Sequence, residues 1–308
     1  MKKIAISIGD LNGVGIQLAL ENHEEIKKIV KPLYCIDRSM LEEASELLNL
    51  PIPSDFEHVN KIAKPFTITP SCITKESGVY SYASFLKAVE LSKDLEVDGM
   101  MTLPIHKKAW ELAGVKYKGH TEALRDFFFA PAIMMLGVPK MYVALYTEHI
   151  PLHQVALEVA NTKKLSSFLI DFYNNIGSQL EDEESIGLLG LNPHAGDSGV
   201  LGDEEQSIIK ARAMAHQVIG KEVYSSPLVP DVAFTPNNRK KYRYFVAMYH
   251  DQGLSPLKAL YFDEGINISL NLPIIRSSVD HGTAFDIAYK GVKVNNQSYL
   301  NALSYFIN

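Results

Sequence analysis

Three histidines follow apolar, β-type stretches of the sequence at similar positions, and neutral imidazole is a common ligand of divalent metals. His149, His194 and His250 each stand a few residues after such a stretch. They are 45 and 56 residues apart along the chain (194 − 149 and 250 − 194), so they form no local motif. A single strand-end histidine is more often a helix cap or a hydrogen-bonded core residue. Because the ends of neighbouring parallel strands converge on one crevice, the repetition instead predicts a shared metal site with positions open for catalysis.

A fourth histidine, His153, has the i,i+4 spacing of a helical zinc pair with His149. Pro151 lies between them and argues against a regular helix there. We therefore do not predict His153 to be a ligand.

Two further segments have the composition of anion sites. Gly119-His120-Thr121-Glu122 precedes a helical stretch, where side-chain and backbone donors can meet a phosphate. Arg276 and Lys258 could add positive charge, Arg as a planar fork and Lys as a point charge. The glycines at 196, 199 and 202 precede another helix, and they indicate either an anion-binding turn or simply a tight turn.

Composition excludes several classes of protein. The 308-residue chain has a formal net charge of −6 and scattered basic residues, which disfavours nucleic acid as a partner. Cys35 and Cys72 form no CxxC pair, so we predict reduced thiols in a cytoplasmic protein and no thiolate zinc site. The apolar start is too short for a signal peptide. Prolines break the region 130–146, so we predict no membrane span.

The elements that must position these residues alternate between short apolar runs and longer helical patterns. This alternation predicts an α/β protein with a largely parallel sheet. Gly13 and Gly15 follow the first run, but Leu18 replaces the third glycine of a dinucleotide fingerprint. The predicted strands are 3–8, 33–36, 97–102, 132–137, 141–146, 185–190, 231–234, 244–248 and 266–270, and the predicted helices are 14–29, 39–49, 76–93, 162–177, 203–219 and 295–306.

Four segments closely resemble the 4-hydroxythreonine-4-phosphate dehydrogenase family of vitamin B6 synthesis. They are GHTE (119–122), LNPHAGDSG (191–199), AMYHDQGL (247–254) and SVDHGTAFDIA (278–288). The resemblance implies a two-domain isocitrate/isopropylmalate-dehydrogenase-like fold with a cleft between the domains, and a homodimer with active sites at the interface. It places residues 1–130 and 277–308 in the first domain, and residues 131–276, with the metal site and dimer contacts, in the second.

The resemblance also implies roles for individual residues. It assigns the metal to the three strand-end histidines, and substrate contacts to His120, Thr121, Lys258, Asn267 and Arg276. It places an acid at Asp231, and the cofactor beside Asp280, His281, Gly282 and Thr283. The chain departs from the family at Glu148, which adds a carboxylate next to His149, at Gly15-Ile16-Gln17 and at Arg276-Ser277-Ser278.

The implied reaction is the oxidation of 4-phosphohydroxy-L-threonine by NAD or NADP, followed by decarboxylation of the β-keto acid. One divalent metal per subunit is implied, with zinc, magnesium and cobalt all open. Asp231, Lys258 and metal-bound hydroxide remain alternatives for the general base. Other functions to weigh are a sister dehydrogenase for another phosphorylated four-carbon hydroxy acid, and a non-catalytic metal- or nucleotide-binding protein. No GxSxG elbow supports a hydrolase.

Overall fold

A computed structural model describes residues 1–307 of the chain. The chain divides into two compact units, one formed by Met1–Pro131 together with the segment that begins at Ile266, and the other by Ala132–Gly265. This division differs from the one drawn from sequence, which extended the second domain to residue 276. The strand at 266–270 pairs antiparallel with the strand at 276–279, which places it in the first unit.

The first unit contains five strands in the order β2-β1-β3-β9-β8. The pairs β1–β2, β1–β3 and β3–β9 are parallel, and β8–β9 is antiparallel. Ile4, Ala5 and Ile6 are fully buried, as expected for a parallel strand covered on both faces. The strands are β1 (Lys3–Ser7), β2 (Lys31–Cys35), β3 (Gly99–Thr102), β8 (Ile266–Leu270) and β9 (Arg276–Val279).

Helices cover this sheet, and the longest is α4, whose first turn is capped by the Thr74 hydroxyl accepting from the Ser77 N–H. Its inner face buries Phe85 and Ala88 in a core that includes Trp110. The predicted helix at 14–29 is two helices separated at Asn22. The helices are α1 (Gly15–Glu21), α2 (His23–Ile26), α3 (Arg38–Leu48), α4 (Lys75–Lys93), α5 (Lys107–Leu112), α6 (His120–Phe128) and α12 (Gln297–Ser304).

The second unit contains four strands in the order β4-β5-β7-β6. β4 and β5 form an antiparallel pair, whereas β7 is parallel to both β5 and β6. The predicted α/β organisation with mostly parallel strands is therefore confirmed within each unit. The strands are β4 (Ile133–Val138), β5 (Met141–Leu145), β6 (Gly187–Leu188) and β7 (Tyr244–Ala247).

The second unit corrects one element of the sequence analysis. The predicted strand at 231–234 is wrong, because Pro230 begins a 3-10 turn over Pro230–Val232. Helix α7 begins immediately after Pro151, so His153 lies in a helix and His149 does not. Among residues 1–307 no helix is long and apolar enough to cross a membrane. The helices are α7 (Leu152–Ala160), α8 (Thr162–Ile176), α9 (Glu204–Ile219), α10 (Pro236–Lys241) and α11 (His250–Tyr261).

Helices α4 and α5 of the first unit approach each other closely at Gly78, and a substitution there tests this packing. A Cβ added at Gly78 would lie 2.0 Å from the Ala109 carbonyl oxygen, so Gly78→Ala must push the helices apart. Overpacking of this kind costs about 1–3 kcal/mol, so we expect a lower thermal midpoint. Val79→Ala, at the exposed neighbouring position, is the matched control and should change stability by less than about 0.5 kcal/mol. Equal midpoints for the two variants would contradict this packing argument.

Candidate active site

Two of the three predicted metal ligands lie next to each other in the second unit. His149 follows β5 and His250 begins α11 directly after β7, and these two strands are parallel neighbours. The two imidazole ring centroids are 5.7 Å apart. The parallel pairing thus brings together two side chains that are about 100 positions apart in the sequence.

Hydrogen bonds fasten the two strand ends to each other. The Thr147 hydroxyl donates to the Met248 carbonyl oxygen at 2.6 Å, and the Thr147 N–H donates to the same oxygen at 3.2 Å. Thr147 is buried, so these bonds are shielded from water. They fix the residues two positions before His149 and His250.

Gln252 links the end of β7 to the end of β6. Its side-chain oxygen accepts from the Met248 N–H at 2.7 Å, and its amide nitrogen donates to the Gly190 carbonyl oxygen at 2.7 Å. Gln252 is 9% exposed, so both bonds are inside the unit. Gly190 precedes the segment that carries His194, and Met248 precedes His250. The Gln252 side chain therefore links the segments that carry these two predicted ligands.

The His250 ring is oriented by the adjacent carboxylate. Its Nδ1 lies 2.6 Å from the Asp251 Oδ1, so Nδ1 donates to this carboxylate and Nε2 takes no part in the contact. Metal-binding histidines commonly have such a carboxylate partner, which fixes both the tautomer and the ring orientation.

His194 lies in a turn of unusual backbone geometry. All residues from His194 to Gly199 have positive φ, including 52° at His194, 50° at Ala195 and 42° at Asp197. A left-handed conformation costs a residue with a Cβ roughly 1–2 kcal/mol. Strain of this kind persists only where the surrounding structure enforces it, and it is concentrated at functional sites.

The donor chemistry of the histidine pair fits a divalent metal, since two adjacent imidazoles, one of them oriented by a carboxylate, are typical zinc ligands. Within residues 1–307, however, no three His, Cys, Asp or Glu side chains are grouped to hold a metal ion. His149 and His250 are adjacent, whereas the inclusion of His194 in a common set stays a prediction.

Arg276 is a buried, positively charged side chain of the first unit. It is 3% exposed, and its guanidinium donates to Thr102 Oγ1 at 3.2 and 2.7 Å and to Ser269 Oγ at 3.1 Å. A fourth contact, at 3.3 Å, reaches His120 Nδ1. Burial lowers the pKa of Arg276 to about 9. All three partner residues are neutral, so within residues 1–307 the buried positive charge lacks the anion that usually accompanies it.

His120 is held in its neutral form beside this charge. Burial, together with the positive charge of Arg276, lowers the pKa of His120 well below its usual range. Its Nδ1 therefore accepts from the guanidinium, and its proton lies on Nε2. The ring packs against Phe85 and Trp110, at centroid distances of 4.9 and 5.2 Å. Nε2 is buried and has no hydrogen-bond partner among the described residues, so it is an available donor.

Two more predicted substrate residues lie in the first unit. Thr121 is the second residue of α6, where the N–H groups of the first turn have no partner within the helix. Asn267 lies on β8 two residues before Ser269, so both side chains point to the same face of the strand. The Asn267 Oδ1 is buried and has no partner among residues 1–307.

The two side chains among the alternatives for the general base belong to the second unit. Asp231 is exposed on the 3-10 turn Pro230–Val232. Lys258 lies on α11, and its ammonium group is 5.7 Å from the centroid of the Phe262 ring.

The predicted cofactor segment, 280–283, packs on the turn that follows β1. The Val14 N–H donates to the Thr283 carbonyl oxygen at 3.1 Å, and a Cβ at Gly13 would lie 2.8 Å from the same oxygen. Gly13 therefore permits close approach of the two backbones. The Asp280 N–H donates to Ser298 Oγ at 3.1 Å, and the His281 Nε2 is buried without a partner among the described residues.

Sequence reasoning missed Asp10, a fully buried carboxyl group that organises this turn. Its Oδ1 accepts from the Asn12 N–H at 3.0 Å, and its Oδ2 accepts from the Ser77 hydroxyl at 3.1 Å. Burial raises the pKa of Asp10 to about 6 despite these bonds. The sequence signal that could have identified Asp10 is an aspartate shortly after a buried strand.

The raised pKa makes a prediction about stability. The folded protein holds the Asp10 proton up to about pH 6, whereas the unfolded chain loses it near the ordinary value of 3.8. Folding is therefore favoured below pH 4 and loses up to about 3 kcal/mol as the pH rises through 6. Asp10→Asn does not titrate, so the variant should gain stability relative to wild type between pH 4 and pH 8. Chemical denaturation at both pH values measures this gain, and a constant difference would contradict it.

Comparison with known proteins places the chain in a family. A family model described as "Pyridoxal phosphate biosynthetic protein PdxA" matches residues 28–306. A 4-hydroxythreonine-4-phosphate dehydrogenase of Sulfurimonas denitrificans is 56% identical to this chain. The matched region covers 98% of this chain and 95% of that protein. The crystal structure of the enzyme of that name from Klebsiella pneumoniae has a TM-score of 0.83 at 30% identity, with 99% of this chain and 97% of that chain covered. The chain belongs to the PdxA family.

Proposed function

We propose that the chain is a metal-dependent, NAD(P)-linked dehydrogenase of pyridoxal 5'-phosphate synthesis. It oxidises 4-phosphohydroxy-L-threonine to 2-amino-3-oxo-4-phosphooxybutanoate, which loses CO₂ to give 3-amino-2-oxopropyl phosphate. The observation that carries the proposal is the buried Arg276 with only neutral partners, beside the unpartnered Nε2 of His120.

The substrate phosphate supplies the anion that this site lacks. A guanidinium has five N–H donors, and Arg276 uses four in the contacts described, so one remains for a phosphate oxygen. The His120 Nε2–H and the first-turn N–H groups at Thr121 add donors, and an anion at a helix N-terminus is favoured by the helix dipole. Asn267 and Lys258 complete the proposed set of contacts.

The metal ligands in this proposal are His149, His194 and His250, and zinc, magnesium and cobalt are all compatible with them. When bound, a divalent metal lowers the pKa of a coordinated alcohol, so that its proton is lost near neutrality. The chain itself supplies the orientation, because Asp251 holds the His250 ring and Gln252 and Thr147 hold the strand ends.

The remaining steps need a base and a cofactor. We propose that Asp231 or Lys258 acts as the general base and accepts the proton of the reacting hydroxyl. The segment formed by Asp280, His281, Gly282 and Thr283 would hold NAD or NADP, which would supply the hydride acceptor. Phosphate contacts far from the reacting carbon provide binding energy that holds this carbon in place for the transfer.

The proposed function includes an architecture and an assembly. We propose an isocitrate/isopropylmalate-dehydrogenase-like arrangement of two domains, and a cytoplasmic homodimer with its active sites at the interface. The supporting observation is that the proposed cofactor segment follows β9, and that the proposed ligands His149 and His250 follow β5 and β7, all of them strands with parallel neighbours. Crevices at such strand ends are the usual ligand sites of α/β sheets.

The phosphate assignment can be tested without catalysis. Wild-type protein should be stabilised by inorganic phosphate, since a ligand that binds only the folded state raises its stability. Arg276→Met should lose this stabilisation but be as stable as wild type or more stable without phosphate, because replacing a buried unpaired charge by an apolar side chain removes its desolvation cost. Lys116→Met, which removes an exposed charge, is the control and should keep the phosphate effect. A phosphate effect that survives in Arg276→Met would overturn the assignment.

The reaction is tested by absorbance at the reduced-nicotinamide band, with 4-phosphohydroxy-L-threonine, NAD or NADP, and zinc, magnesium or cobalt. We expect turnover that a chelator abolishes and added metal restores, and no metal-dependent turnover in His194→Ala. Faster turnover of a phosphorylated hydroxy acid that lacks the amine would favour a sister dehydrogenase instead. No reduction with any substrate would favour a non-catalytic binding protein.

A further inference from the structure

We propose that Glu205 is a positioning residue that holds the left-handed turn at His194–Gly199 and thereby places the His194 ring. The assignment rests on the proposed metal role of His194. It concerns a residue that touches neither substrate nor metal, and it explains how a strained turn keeps one conformation.

The Glu205 carboxylate is bonded to the start of the segment that carries His194. Its Oε1 accepts from the N–H groups of Leu191 and Asn192 at 2.8 and 2.7 Å, and its Oε2 accepts from Asn192 Nδ2 at 2.9 Å. Glu205 is 5% exposed. A buried carboxylate with three donors is a strong, specific anchor, since charge-assisted bonds are about twice as strong as neutral ones.

The turn also closes directly over this carboxylate. A Cβ added at Gly196 would lie 2.7 Å from Glu205 Oε2 and 2.7 Å from the Gly202 carbonyl oxygen. The turn is closed by bonds from the Ala195 N–H to the Asn192 carbonyl oxygen and from the Leu201 N–H to the Gly196 carbonyl oxygen, both at 3.0 Å. The carboxylate therefore contacts the turn at its entry and at its centre.

The location of Glu205 on α9 explains why a carboxylate is suitable there. It is the second residue of a 16-residue helix, where the helix dipole stabilises negative charge. A carboxylate has only acceptor oxygens, so it can accept all three hydrogen bonds at once. Glutamine could keep the two backbone bonds through its oxygen, but its NH₂ group would face the Asn192 NH₂ group. Glu205→Gln is therefore a graded variant, and Glu205→Ala removes the anchor entirely.

The neighbouring residue offers a matched control. Glu204 also accepts from Asn192 Nδ2, at 2.7 Å, and this bond lowers its pKa. In contrast to Glu205, it makes no bond to the backbone of Leu191 or Asn192 among those described. Glu204→Ala thus removes a carboxylate from the same helix start and leaves the proposed anchor in place.

The experiment combines hydrogen exchange with zinc binding. In Glu205→Ala we expect faster exchange of the Leu191 and Asn192 amides, because their acceptor is gone. We expect zinc affinity, measured by competition with a chromophoric chelator, to fall about 10–100-fold, as is typical when a residue supporting a metal ligand is lost. Glu205→Gln should be intermediate in both, and Glu204→Ala should resemble wild type. Stabilisation by inorganic phosphate should persist in every variant, whereas general misfolding would reduce it as well.

His194→Ala separates failure of this inference from failure of the proposed function. If His194→Ala weakens zinc binding but the Glu205 variants do not, the inference is overturned. Unchanged amide exchange in both Glu205 variants would also overturn it. If His194→Ala binds zinc like wild type, the metal role of His194 is wrong, and faster exchange would still identify Glu205 as the residue that holds the turn. If Glu205→Ala does not fold, Glu205→Gln decides the matter by the same two measurements.

Discussion

Parallel strand pairing is the constraint on which the chemistry of each unit depends, because it determines which distant residues share an edge. In the second unit, the pairing of β5 with β7 brings His149 to His250. In the first unit, the pairing of β3 with β9 lets the Arg276 guanidinium reach Thr102, 174 positions away. Short polar side chains then fasten the strand ends, so the position of each functional group follows from backbone hydrogen bonds and not from its own flexibility.

The first unit also buries charge that does not serve stability. Arg276 is buried with neutral partners, and Asp10 has a pKa raised to about 6 by burial. A protein selected only for stability would replace such groups with apolar ones, because desolvating an ion costs several kcal/mol. Their retention is understandable if a bound anion compensates Arg276, and if Asp10 fixes the turn that receives the segment 280–283. The unpartnered His120 Nε2 fits the same interpretation.

The features that could be predicted from the sequence are those that depend on local residue patterns. Apolar runs located most strands, and polar residues after them located the histidine segments. The run 231–234 was misleading because its apolar residues follow Pro230, which begins a 3-10 turn. The burial of Arg276 could not be predicted, since its partners are determined by strand register. Glu205 looks like an ordinary acidic residue at a helix start, and only the fold shows that it bonds to the backbone before His194.

The turn at His194–Gly199 shows how the sequence, the backbone conformation and the surrounding hydrogen bonds are connected. Its glycines indicated either an anion site or a tight turn, yet four of its six residues have a Cβ and adopt positive φ. At roughly 1–2 kcal/mol each, this strain rivals a substantial part of the stability of an ordinary domain. An isolated segment would relax to right-handed or extended backbone. The segment that leads into the turn is therefore held in place, by Glu205 at Asn192 and by Gln252 at Gly190. The location of a single imidazole thus depends on two buried polar side chains, Glu205 as an acceptor and Gln252 as a donor, and neither needs to contact the substrate.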